Sequence, residues 1–263
     1  MRSVSRGYGY RFDLGSYFPP AIKAICIACV CVFTLQELSG LIFHAAGSNF
    51  WALWFGLVPQ EVVHGFIWQP FTYLFLHGGI WHILLNLLFL CMFGADIERA
   101  WGSRRFFGYF CLCGIGAGVI NVVVKELIVS WHWARPESLF VPTIGASGAI
   151  YGVLLAAAMI MPHSRVWFFP LPVTVSMRVF IIAMIAIEFF GTIGASGDNV
   201  SHVCHLGGML VGYVYLRRRR GSALYSFRNH FSDWKRRRLR KKFEVYARDH
   251  QDKPPSRPDN WVN

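Results

Sequence analysis

Ser147 stands in Gly145-Ala146-Ser147-Gly148, near the head of an apolar run from Val141 to Met161. A serine hydroxyl is a weak nucleophile until a base takes its proton, and imidazole is the usual base. His205 is the candidate base. It lies in Ser201-His202-Val203-Cys204-His205-Leu206-Gly207-Gly208, where His205, Gly208 and Gly212 fall on one helical face. Gly148, Gly152 and Ala156 make a matching small-residue stripe beside Ser147, which allows close helix approach in lipid. Pressing the two faces together brings His205 toward Ser147. Acyl transfer also needs donors aimed at the developing oxyanion. His82 and Asn86, four apart on one face, can supply them, together with the Ser147 backbone N–H at a helix start. Tyr151, one turn after Ser147, can stack on the histidine. No Asp or Glu in the apolar runs is placed to orient His205, so the residues read as a Ser147–His205 dyad and not a triad.

These residues sit in a chain built for lipid. The 263 residues are 54% hydrophobic, with a mean hydropathy of +0.39, well outside the ordinary soluble class. Apolar runs of about 17 to 21 residues recur, the length that spans roughly 30 Å of hydrocarbon. The seven cysteines all lie inside such runs and act as small hydrophobes, with no disulfide framework or redox pair implied.

The runs predict an all-α membrane protein of six spans, near 21–38, 80–93, 106–124, 141–161, 179–193 and 200–216. The first is expected to be retained and not cleaved as a signal peptide. Residues 39–75, rich in aromatics and nearly uncharged, read as a first outer loop half sunk in the membrane surface. A charged turn is expected at 96–105, and a further turn at 162–178. With the N-terminus inside, 24 of the 26 Lys and Arg fall on inner segments, and only Lys125 and Arg135 fall outside. That bias sets an even span count and places the start of span four, with Ser147, toward the outer side. Three domains follow: a basic cytoplasmic N-terminus (1–20), the membrane domain (21–216) and a polybasic cytoplasmic tail (217–263). The net charge of +12 is therefore a topology signal, not a nucleic-acid footprint. The tail's basic cluster anchors that topology, and 231–246 can also form an amphipathic helix on anionic lipid.

Several motifs together resemble the rhomboid family of intramembrane serine proteases. They are Gly-x-Ser-Gly with Tyr151 four after the serine, His205-x-x-Gly208-x-x-x-Gly212, and His82-x-x-x-Asn86 within FLHGGIWHILLNLLFL. The turn FGADIERAWGSRRF fits as well, and the similarity runs from about Val58 to Tyr215. The resemblance implies the compact bacterial six-helix form in the inner membrane, with the active site opening outward. It implies Ser147 as nucleophile, His205 as general base, His82 and Asn86 as the oxyanion pair, and Tyr151 as the ring packed on the histidine. Transmembrane proteins are the implied substrates, admitted near span five, with no cofactor and no metal. The chain departs from the family in its first outer loop, where the usual Trp-Arg is absent and Trp68-Gln69-Pro70 stands nearby.

Two decoys and two other functions compete. Gly194-Ala195-Ser196-Gly197 repeats the tetrapeptide but reads as a flexible turn. His202, one turn before His205, is the second-choice base and is expected to face water or loops. A metal-binding membrane protein would gather His77, His82, His202 and His205, without any acidic ligand and leaving Ser147 and Asn86 unexplained. An inactive rhomboid-like protein that only binds membrane helices would usually lack a member of the dyad.

Overall fold

The computed structural model describes residues 18–168, 173–193 and 201–218. The basic lead, Ser196 with its glycine-rich turn, and the tail from 219 onward lie outside the described residues.

Helix α1 (Pro20–Phe43) opens on a proline, whose missing N–H is harmless at a helix start. Two of its unpaired N–H groups, from Ala21 and Ile22, donate to the two oxygens of Glu98 at 2.7 and 2.9 Å. A carboxylate there also complements the helix dipole. Glu98 belongs to α5 (Ile80–Trp101), and α6 (Ser103–Ser130) follows after a single residue. The expected charged turn at 96–105 is therefore helical. Its only break is Gly102, whose φ of +82° closes one helix and opens the next.

Residues 39–75, expected as a loop, are instead largely helical. Helix α1 continues to Phe43, past Leu38, and breaks at His44 (φ 52°). Short helices α2 (Ala45–Phe55), α3 (Pro59–Val63) and α4 (Gln69–Thr72) then fill most of the segment, each bounded by turn residues. Gln69 is fully buried and ties these pieces together. Its Oε1 accepts Val58 N–H at 2.9 Å, and its Nε2 donates to Leu53 O at 2.8 Å.

Helix α7 (Ser147–Ile160) is followed by a hairpin of β1 (Arg165–Phe168) and β2 (Val173–Ser176), paired antiparallel from Arg165↔Ser176 to Phe168↔Val173. The turn expected at 162–178 thus contains two strands. Helices α8 (Met177–Ile193) and α9 (His202–Arg218) complete the described chain.

Among the described residues, three helices, α1, α5 and α6, are long and apolar enough to cross a membrane. Helix α6 is the most enclosed of them and α1 the least. It packs centrally against α7 and α9, while α1 lies at the periphery, its Ile27, Val30 and Leu35 exposed. The innermost contact is α7 on α9. A β-carbon at Gly208 would sit 1.9 Å from Gly148 O, and one at Gly152 would sit 3.1 Å from Gly208 O. Only glycines permit that approach, so the small-residue stripes press together as their spacing predicts.

Candidate active site

Ser147 is the first residue of α7, and the chain is held firmly up to it. Leu57 and Thr143 exchange backbone hydrogen bonds of 2.9 Å each way, and Gly145 N–H donates to Tyr73 O at 2.9 Å. Buried Asn121 of α6 staples both approaches to the site. Its Nδ2 donates to Thr143 Oγ1 at 3.3 Å, and its Oδ1 accepts Ser201 Oγ–H at 2.7 Å. Ser201 directly precedes α9, so one amide sets the starts of the helices carrying Ser147 and His205.

With α7 and α9 packed this closely, His205 Nε2 lies 2.7 Å from Ser147 Oγ. Tyr151 stacks on the imidazole, with centroids 4.3 Å apart and planes 10° apart. The ring is thus fixed in plane and aimed at the hydroxyl. His205 and Asn86 are both buried polar residues in an otherwise apolar setting.

Opposite Ser147, α5 presents His82 and Asn86. Gly78 N–H donates to His82 Nδ1 at 3.2 Å, which makes Nδ1 the acceptor and puts the ring proton on Nε2. Gly145 (φ +119°) lies against both groups: a β-carbon there would be 2.7 Å from His82 Nε2 and 3.6 Å from Asn86 Nδ2. Glycine is thus required at 145 both by its backbone angle and by the closeness of the donors. Asn86 Nδ2 is buried without a hydrogen-bond acceptor. An unpaired buried donor is costly, and this one lines the same cavity as Ser147. A cavity of about 550 Å³ joins these groups and extends between α5 and α8, where Leu85, Phe89 and Met184 line it.

Two expectations about the histidines need correction. His202 does not face water: its Nδ1 lies 2.6 Å from Glu188 Oε2, and its side chain is 14% exposed. An acid is also placed beside His205. Glu188 of α8 is 4% exposed, and its Oε2 lies 2.9 Å from His205 Nδ1, close but off the hydrogen-bond direction. Tyr151 Oη donates to its other oxygen. The signal was in the sequence. Phe180, Met184 and Glu188 recur every four residues along one face of span five, and a lone acid in such a run needs a partner or a task.

The histidines of the competing metal reading separate into two groups. His77 and His82 have ring centroids 5.2 Å apart on the α5 side. His202 and His205 instead meet Glu188, and these three offer ligand atoms within 4.8 Å of one another. The acid missing from that reading is therefore present, although His205 Nε2 is already directed at Ser147.

Helices α5, α7 and α9 thus bring a serine hydroxyl, an imidazole and a buried amide donor to one cavity. The chain matches the Rhomboid domain over residues 64–220 and belongs to the rhomboid family. It is 29% identical over 141 residues to the mitochondrial Rhomboid protein 1 of Saccharomyces cerevisiae, covering 54% of this chain and 38% of that protein. It is 28% identical over 152 residues to Rhomboid protease GluP of Bacillus subtilis, covering 58% of this chain and 26% of that one. Rhomboid protease AarA of Providencia stuartii is 29% identical over 163 residues, 59% of this chain and 57% of the relative. The match thus spans less than two thirds of each of these relatives.

Proposed function

We propose that this chain is an intramembrane serine endopeptidase that cleaves other membrane proteins in or beside their transmembrane segments. The observation that carries the reading is the 2.7 Å contact between His205 Nε2 and Ser147 Oγ, with the imidazole held flat on Tyr151. Ser147 Oγ attacks the scissile carbonyl carbon while its proton passes to His205 Nε2. The carbonyl oxygen becomes an oxyanion, received by Asn86 Nδ2, His82 Nε2 and the Ser147 backbone N–H. Collapse breaks the C–N bond, and His205 returns the proton to the leaving amine. A water then repeats the sequence on the acyl-enzyme, releasing the second product and restoring Ser147. Each oxyanion donor in such a site contributes on the order of 10²- to 10³-fold in rate.

In this reading the chain has six spans with both termini cytoplasmic, in a bacterial inner membrane, and the site opens to the outer side. The cavity's extension between α5 and α8 supports admission of a substrate helix from the bilayer beside span five. The test is cleavage of a single-span reporter in proteoliposomes by the full chain, by Ser147→Ala and by Ser196→Ala. Loss in Ser147→Ala alone, with phosphonate labelling of Ser147 in the unaltered chain, supports the reading. Cleavage that survives Ser147→Ala sinks it, whereas no cleavage by any form favours an inactive helix-binding protein.

The Glu188–His202–His205 cluster keeps a metal-dependent hydrolase as the second reading. Chelator at millimolar concentration separates the two: unchanged cleavage supports the serine mechanism, and loss restored by added zinc supports the metal.

A further inference from the structure

Glu188 has a role that a two-residue mechanism leaves unused. A carboxylate within an apolar span is expensive, and such residues face the bundle interior with a partner or a function. Glu188 sits on the inward face of α8, above buried Phe180 and cavity-lining Met184, while Ile182, Ile185 and Phe189 on the other faces are exposed. Its side-chain partners come from the two helices that carry the proposed nucleophile and base. Tyr151 of α7 donates to Oε1, and His202 and His205 of α9 present their Nδ1 atoms to Oε2 at 2.6 and 2.9 Å. Tyr151 thus touches the array twice, through its ring on His205 and through its hydroxyl on the carboxylate.

Resting on the protease reading, we infer that Glu188 is a positioning residue that converts the Ser147–His205 pair into a three-member array. Tyr151 and His202 hold the carboxylate from either side. The carboxylate holds the proton on His205 Nδ1, which leaves the Nε2 lone pair for the Ser147 hydroxyl, and it then faces the imidazolium that forms as Ser147 attacks. A base whose second nitrogen has no acid must find the right tautomer and carry its charge unaided. In serine proteases with an aspartate in this place, its replacement by the amide costs about 10⁴ in kcat. Here the loss is smaller, because the Tyr151 ring already fixes the plane of the imidazole. The 2.9 Å contact lies off the hydrogen-bond direction, and it is expected to straighten when the imidazolium forms. Because the acid stands on α8 and the other two members on α7 and α9, any outward movement of α8 withdraws it from the base.

The experiment uses the full chain in proteoliposomes with a single-span reporter, and measures kcat and KM for the unaltered chain, Ser147→Ala and Glu188→Gln. The rate at which a small fluorophosphonate modifies Ser147 is measured alongside, since this needs activation of the serine but no substrate helix. The expected result for Glu188→Gln is a 10- to 100-fold fall in kcat, KM within twofold, and phosphonylation slowed in the same proportion. A purely structural carboxylate predicts something else: unchanged phosphonylation, or a loss confined to KM. Either of those results, or full activity, overturns the inference. Should Glu188→Gln not purify as a folded protein, Tyr151→Phe decides, since it keeps the ring on His205 and removes only its hold on the carboxylate. A 3- to 10-fold fall in kcat at constant KM is expected there, and an unchanged kcat overturns the inference. The two levels fail separately. An active chain with silent Ser147→Ala and unimpaired Glu188→Gln removes only the third member, whereas cleavage persisting in Ser147→Ala removes the protease itself.

Discussion

Replacing Gly208 with alanine tests whether helix proximity sets the Ser147–His205 distance. The added β-carbon would stand 1.9 Å from Gly148 O, one residue beyond Ser147. Reaching ordinary contact, about 3.5 Å, requires α9 to retreat by about 1.5 Å. The obstacle is backbone in α7, so no side-chain rotation can relieve it. His205 lies one turn from Gly208 on the same face and moves with it, which carries Nε2 from 2.7 Å to beyond hydrogen-bond reach of Ser147. A misplacement of about 1 Å in a reacting pair costs on the order of 10²-fold, while overpacking of this kind destabilises by about 1–3 kcal/mol. Reporter cleavage and Ser147 phosphonylation are both expected to fall about 100-fold, with a modest loss of thermal stability. Gly108→Ala is the control, because its β-carbon meets nothing within 4 Å and faces outward. If Gly208→Ala keeps phosphonylation within twofold of the unaltered chain, glycine packing does not control the catalytic distance, and the argument fails.

Asn86→Ala removes the buried Nδ2 donor, and kcat is expected to fall about 10²- to 10³-fold with KM little changed; equal kcat would show that the oxyanion is received elsewhere. Glu98→Ala strips the cap from two buried N–H groups of α1 and is expected to cost about 1–3 kcal/mol by thermal unfolding in detergent. Ser147 phosphonylation in that variant stays near normal well below the melting point, since Glu98 is remote from the site. Gln69→Ala leaves Val58 N–H and Leu53 O without their buried partner, and a loss of similar size is expected in the same measurement.

What could be read in the sequence, and what could not, follows from the range of the interactions. Ser147 with Tyr151, His82 with Asn86, and His205 with Gly208 and Gly212 are pairings within single helices. Helical periodicity alone puts each set on one face, and the glycine stripes then indicate which faces meet. Helix ends were less legible. The charges at 96–105 look like a solvated turn until Glu98 is seen to be buried on the start of α1, a partner 77 residues away. The same holds for residues 39–75, where prolines mark the starts of α3 and α4 but the contacts of Gln69 with Val58 and Leu53 join residues 11 and 16 positions apart.

Glu188 marks the boundary between the two kinds of information. Its position on the inward face of span five is periodic and readable, and the cost of an acid in an apolar helix already demands a partner. Which partner it takes depends on how α8 seats beside α7 and α9, and spacing within one helix does not encode that. The structure resolves it by placing a single carboxylate within reach of Tyr151, His202 and His205 together. Sequence periodicity is thus enough to nominate the nucleophile, the base and the oxyanion donors, because each is defined by its neighbours one turn away. The carboxylate proposed to orient the base comes from a third helix, and its partners are set by packing between helices.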